Sequence, residues 1–200
     1  IIGASLDLQR DRPRSYWYDT INGRKQLSWR AQKEKSGGGV LIMNLIHDLD
    51  FLHYVADMEI KEVFAYMDTL FHPIDVEDSL GAVIKAKNDA IGTISASTTV
   101  RGHGNSGLRI WGAIGQLLIE GNQVKFYSHK RLGSYEPGKW YTKVFEEQVE
   151  SRTLFFREFR RQLQRSEKSS MNDSGFRTLA IISAMYESAD KGDKVEVKYS

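Results

Sequence analysis

The sequence predicts an α+β fold: a predominantly antiparallel open β-sheet, helices packed on one face, and the other face available for dimerisation. Short segments of alternating polarity separated by turn signals fill residues 62–145. Helical periodicity is confined to one stretch before them, about 40–56, and two after, about 151–165 and 175–189. Helices segregated from clustered antiparallel strands cover one sheet face and leave the other to a subunit partner.

Residues 1–10 alternate and predict a strand. From Arg10 to Arg30 the sequence predicts a long polar and aromatic loop carrying Arg12, Arg14, Tyr16, Trp17, Tyr18, Trp29 and Arg30. Aromatics interleaved with arginine suit stacking on a sugar or another planar or hydroxylated ligand, with guanidinium as donor. The competing reading is a surface flap packed by its own aromatics.

The glycine run Gly37, Gly38 and Gly39 then feeds a buried helix. Glycine lets the backbone turn sharply and approach a ligand closely. Leu41, Leu45, Leu49, Leu52 and Ala56 recur at the spacing of one helical face, while His47 projects nearly opposite, with Asn44, Phe51 and Tyr54 on its side. An amide and an imidazole on the outer side of a core helix fit a cleft where protons are handled. Asp50, one turn on, is placed to orient the ring. A histidine on an apolar helix is also a common structural residue. His47, Asp50 and His53 are too spread around the helix for a metal site, and none is expected.

Glu62–Met67 reads as a strand, followed by a turn at His72-Pro73. Ser79–Lys87 and Ala90–Val100 read as strands joined by a turn at Asn88-Asp89. Leu108–Ile114, Gln116–Glu120 and Gln123–Tyr127 continue the meander, and Trp140–Phe145 is an edge strand after a basic loop. Leu154, Phe155, Phe159 and Leu163 mark the apolar stripe of a helix whose outer face is basic. After a polar linker, Lys168–Asp173, Ser174 is the expected N-cap of a last helix with Leu179, Ile182, Met185 and Tyr186 inward. Val195–Tyr199 closes the chain as a strand.

Composition narrows the function classes. Two hundred residues with 40% hydrophobic content make one domain with a real core. A net charge of +2 offers no electrostatic case for nucleic acid or a membrane surface, and no apolar run approaches a membrane span. The absence of cysteine excludes disulfides and thiolate metal sites and fits a cytoplasmic protein. The first residues lack the basic start of a signal peptide and begin in strand character, as expected of a piece of a longer chain. Gly102 to Gly107 matches G-x-G-x-x-G by letter, but strand-like residues follow it where a dinucleotide turn needs a helix. It reads as an inter-strand loop whose His103 reaches the cleft. No P-loop, G-x-S-x-G elbow or H-E-x-x-H motif occurs.

Trp29-Arg30, the stretch Ser36 to Asp50, Val76 to Ile84, Ala90 to Ile94, Ile110 to Glu120, and Phe176 to Ala189 with Gly192 and Val195 together resemble the C-terminal domain of the Gfo/Idh/MocA family, which includes glucose–fructose oxidoreductase and inositol dehydrogenase. The resemblance covers nearly the whole chain. It implies the substrate-binding half of an NAD(P)-dependent oxidoreductase acting on sugars, polyols or related hydroxylated substrates. It also implies an N-terminal Rossmann domain upstream that binds NAD or NADP and carries a catalytic lysine. The present fragment alone would be inactive. By the same likeness His47 accepts the substrate hydroxyl proton, and the broad sheet face joins a homodimer or homotetramer. Family members often place Asp or Asn four residues before the histidine, where this chain has Met43; others read Asn-Leu-Ile-His, as here, which assigns the partner role to Asn44. Lys35, Arg12, Tyr16, Trp29 and Arg30 are the expected substrate-side residues. The alternative is a non-catalytic ligand-binding or oligomerisation module of the same fold, with Met43 marking a lost site.

Overall fold

Alternation of apolar side chains sets the architecture. The computed structural model describes residues 1–21, 24–102, 104–146, 151–165 and 171–199. The strands are β1 (Gly3–Gln9), β2 (Tyr18–Ile21), β3 (Arg24–Leu27), β4 (Ile60–Asp68), β5 (Ser79–Ala86), β6 (Ile91–Ser97), β7 (Gly107–Gly112), β8 (Gly115–Glu120), β9 (Gln123–Ser128), β10 (Lys139–Val144) and β11 (Val195–Glu196). The helices are α1 (Arg14–Trp17), α2 (Lys33–Ser36), α3 (Ile46–Ala56), α4 (Ser151–Arg165) and α5 (Met171–Lys191). A nine-stranded sheet runs β10-β9-β8-β7-β1-β6-β5-β4-β11, and β2 and β3 form a separate hairpin.

The expected antiparallel meander is present with one interruption. β1 inserts between β6 and β7, parallel to β6 (Gly3 beside Ile91 through Gln9 beside Ser97) and antiparallel to β7. The β6–β7 connection therefore crosses the end of β1, and it is pinned there. Arg10 donates to the Ser97 carbonyl at 2.9 Å, Arg12 to Thr98 at 3.0 Å, and Val100 returns a bond to Arg10 at 3.0 Å.

The core lies between the sheet and α3 with α5. Leu6, Leu8, Ile84, Ile94 and Val63 meet Leu45, Leu49 and Leu52 of the first helical segment and Ile181, Ile182 and Met185 of α5. Burial of each such large aliphatic side chain contributes about 1.5–3 kcal/mol. The leucine stripe expected from spacing is buried from Leu41 to Ala56. On the opposite sheet face Tyr66, Val83, Ile91 and Trp140 stand exposed, as the alternation required.

Four expectations are corrected. Residues 10–30 are not a structureless loop: α1, the β2–β3 hairpin and a 3₁₀ turn at Trp29–Ala31 organise them. Trp17 is fully buried, in a second small core with Ala31, Ile74 and Val76, so this flap is tied to the body by its own aromatic anchor. The last helix begins at Met171, so Ser174 lies inside it, with its hydroxyl donating to Asp50. Leu179 of that helix is exposed rather than inward. Finally, α4 forms, but Leu154, Phe155, Phe159 and Leu163 are exposed, as are Arg157 and Arg160. The turn at residues 87–89 holds Asp89 at φ 64°, a left-handed position that aspartate tolerates well.

Candidate functional site

The helix carrying His47 is anchored at its start by a buried acid. α2 ends on Gly37 at φ 80°, a left-handed cap that glycine adopts without strain. A Cβ on Gly38 would collide with the Tyr186 hydroxyl, and one on Gly39 with the Glu77 main chain. The glycine run thus permits close approach to the protein itself, not to a ligand as the sequence suggested. That approach lets the Glu77 carboxylate accept the N–H groups of Gly39 at 2.8 Å and Leu41 at 3.1 Å, while the Glu77 carbonyl accepts that of Val40 at 2.9 Å. These are the orphan donors of a helix N-terminus, where a carboxylate is most favourable. Tyr186 donates its hydroxyl to the same carboxylate at 2.9 Å. Burial, the adjacent Glu77 charge and that hydrogen bond push the Tyr186 phenol well above its ordinary range.

The next residue, Asp78, holds the neighbouring turn. Its carboxylate accepts the N–H groups of Leu70, Phe71 and His72, each at 2.9 Å. Burial alone would raise its pKa; these bonds overcome that and hold it below the usual carboxylate value. Glu77 and Asp78 thus form a clamp between the His47 helix and the 70–76 turn. Two adjacent acids immediately before the alternating residues of β5 are the sequence signal for it.

Leu41–Leu45 is wound as a π-helical turn that passes into α3. Such turns widen a helix locally and occur often at functional sites. Here the wide turn puts Met43 and Asn44 on the wall of a cavity of about 650 Å³, within the range of small-ligand sites. His47, exposed at the start of α3, lies on the same wall. The rest of the lining is Leu8, Arg10, Arg12, Tyr16, Trp29, Arg30 and Asp48. The ladder between residues 10–12 and 97–100 fixes Arg10 and Arg12 two apart, on one side of an extended segment. The Arg12 guanidinium sits 4.6 Å from the Tyr16 ring centroid; that of Arg30 lies 5.2 Å from Tyr16 and 4.7 Å from Trp29. Cation–π contacts of this kind hold the charged planes in place.

Two buried polar atoms of the wall have no partner: Asn44 Oδ1, an acceptor, and Arg12 Nε, a donor. The Asn44 amide nitrogen is used, donating to the Met43 carbonyl at 3.0 Å. A buried polar atom left unpaired costs about 1–3 kcal/mol, which a polar partner brought within reach would relieve. Burial pushes the Asp48 carboxyl above its ordinary pKa, an effect only partly offset by the charges of Arg10 and His47.

Six of the residues singled out from sequence therefore line one cavity: His47, Asn44, Arg12, Tyr16, Trp29 and Arg30. Lys35 is exposed on α2 and is not part of the lining. His103 lies outside the described residues. Arg10, Asp48, Met43 and Leu8 complete the wall without having been assigned to it from sequence. Asp50 does not orient His47: it faces α5, accepting hydroxyls from Ser174 and from Thr178, the latter at 3.2 Å. His53 is buried, with Nδ1 3.1 Å from the Met58 carbonyl and Nε2 3.3 Å from Arg177. The three residues weighed as metal ligands thus point to different neighbours. Among the described residues, no helix is long and apolar enough to cross a membrane.

Comparison with solved structures shows the same fold. Levoglucosan dehydrogenase in complex with NADH superposes with a TM-score of 0.82 at 19% identity, over 99% of this chain and 59% of that one. The WlbA dehydrogenase of Bordetella pertussis, in complex with NADH and UDP-GlcNAcA, gives 0.75 at 21% identity over 99% and 55%. The aldose-aldose oxidoreductase of Caulobacter crescentus, complexed with glycerol, gives 0.75 at 18% identity over 97% and 55%. The chain thus spans less than two thirds of the length of these relatives. No curated protein sequence matches it significantly. Residues 5–118 match the GFO/IDH/MocA C-terminal domain, more than half of the chain and every described residue that lines the cavity: the protein belongs to the Gfo/Idh/MocA family, whose members include NAD-dependent dehydrogenases.

Proposed function

We propose that this chain is the substrate-binding half of a dehydrogenase that oxidises or reduces a sugar, polyol or related hydroxylated compound. The observation that carries the reading is the convergence on one cavity wall of an accessible imidazole, His47, with an unpartnered buried acceptor, Asn44 Oδ1. Two hydroxyls of one substrate meet both needs. One donates to the Asn44 oxygen for binding, and the proton of the other passes to the imidazole as hydride leaves its carbon, a transfer for which imidazoles are suited. Tyr16 and Trp29 line the same cavity, and the arginines over their rings offer donors to the other oxygens of a sugar.

Bound NAD or NADP supplies the hydride acceptor or donor. Among the described residues no strand–glycine turn–helix cradle for its pyrophosphate exists, since Gly107 already opens strand β7. The reading therefore assigns the cofactor to a separate Rossmann domain, consistent with the chain spanning 59% of levoglucosan dehydrogenase. It assigns the open sheet face, with Tyr66, Val83, Ile91 and Trp140 exposed, to a second copy in a dimer or a larger even assembly.

The test is turnover by the full-length protein with NAD or NADP across a panel of sugars and polyols. His47→Asn, which keeps a hydrogen-bonding side chain but no titrating ring, is expected to lower kcat by roughly 10²–10⁴-fold. An undiminished rate in that variant removes His47 from the chemistry. Absence of any nicotinamide-dependent turnover, with ligands still bound, favours the binding-module reading.

A further inference from the structure

The cavity walls carry more positive charge than a neutral polyol requires. Arg10, Arg12 and Arg30 line the site, and Asp48 is the one carboxylate among the described lining residues. Arg10 shares its field with Asp48. None of the ion pairs among the described residues engages Arg12 or Arg30. Each guanidinium is held within cation–π distance of a ring, Arg12 of Tyr16 and Arg30 of Tyr16 and Trp29. The Nε of Arg12 is buried with no acceptor at all. Guanidinium groups held in this way, in the wall of a cavity and without an ion-pair partner, fit paired anionic oxygens better than hydroxyls. A hydroxyl accepts a hydrogen bond but leaves the charge unneutralised in a partly desolvated site.

We propose that the ligand of this cavity is an anionic sugar, whose carboxylate or phosphate is bound by Arg12 and Arg30 while hydroxyls elsewhere on its skeleton reach Asn44 and His47. This rests on the reading of the cavity as the substrate site, and it narrows that reading from hydroxylated compounds in general to acid sugars and sugar phosphates. The division is spatial. The α3 side of the cavity supplies an acceptor and a proton-exchanging ring, whereas the Arg12–Tyr16–Trp29–Arg30 side supplies donors and positive charge. A ligand with a charged end and a hydroxylated end would be oriented by that difference alone.

The full-length protein is titrated calorimetrically with D-glucuronate, D-gluconate and D-glucose 6-phosphate, against D-glucose and sorbitol as neutral partners, and assayed for turnover of each with NAD and NADP. At least one anionic compound is expected to bind roughly 10- to 100-fold more tightly than its neutral partner, the worth of one or two charge-assisted hydrogen bonds. The carboxylate and phosphate arms identify which oxyanion the arginines serve. The anionic preference should shrink as salt rises. It should collapse in both Arg12→Gln and Arg30→Gln, and be partly kept in Arg12→Lys, which retains charge but not the fork. Thermal melts identify any variant that fails to fold, in which case the other arginine decides. Equal or tighter binding of the neutral compounds, a preference that survives both substitutions, or no binding of any anionic compound overturns the proposal. Arginine-dependent anion binding without nicotinamide turnover refutes the dehydrogenase reading alone. Turnover confined to neutral sugars refutes the anionic ligand alone.

Discussion

Replacing Glu77 with alanine removes the acceptor that holds the start of the His47 helix. The Gly39 and Leu41 N–H groups and the Tyr186 hydroxyl lose their partner together, in a place where Glu77 itself is only 8% exposed. Each unpaired buried donor costs about 1–3 kcal/mol, and loss of a carboxylate at a helix N-terminus adds roughly 0.3–1 kcal/mol. Water entering the space left by the side chain recovers part of this, so the expected net loss is about 4 kcal/mol. That is a large fraction of a typical folding free energy of roughly 5–15 kcal/mol. For a domain of this size it lowers Tm by roughly 8–16 °C. Glu77→Gln keeps one acceptor and should lose about half as much. Thermal and urea unfolding of the full-length protein, followed by circular dichroism, measure both. A cycle with Tyr186→Phe should show coupling of about 0.5–3 kcal/mol between the two side chains. If Glu77→Ala melts within a degree or two of wild type, or the cycle shows no coupling, the clamp does not anchor this helix.

Gly39→Ala should be more damaging than Gly38→Ala. The new methyl meets the Glu77 main chain in the first case and the end of the Tyr186 side chain in the second, and only a side chain can swing away; comparing soluble yield and Tm of the pair checks the order. Tyr186 and Tyr199 have phenol pKa values raised by burial, that of Tyr199 to about 12, so each contributes stability that is complete below pH 10 and lost as pH rises through the folded value. Urea unfolding above pH 10 should therefore show falling stability, with a shallower decline in Tyr186→Phe; parallel curves for the two proteins refute the assignment. Asp48 is raised by burial, and the sign is opposite to that of a paired carboxylate: its unfavourable charging is absent below 3.8 and develops as pH rises through the folded value. Asp48→Asn should accordingly raise Tm at neutral pH and leave it unchanged in acid, and a lower Tm at pH 7 would show that Arg10 and His47 outweigh desolvation there.

Much of this fold was legible because the relevant signals are local. The leucine spacing from Leu41 to Ala56 determined which helix face is buried, and the alternation around Ala82, Ile84, Ile94 and Ala96 determined strand faces, because side-chain direction follows backbone period alone. The same helical reckoning brought His47 and Asn44 to one side. The flap at residues 13–31 was less legible. Its arginines and aromatics announced a cleft, but Trp17 is held by Ile74 and Val76, residues far along the chain that no local pattern pairs with it.

Sequence alone thus determined the class of the fold, the buried stripe of the central helix, and the residue types that gather at the candidate site. Tertiary structure decided that β1 splits the meander beside β6, a choice of strand partner made by long-range hydrogen bonding that either neighbour could satisfy locally. It also decided what the glycine run is for. Gly38 and Gly39 are small because Tyr186 and the Glu77 main chain press against them, and that pressure exists only once distant segments have packed together.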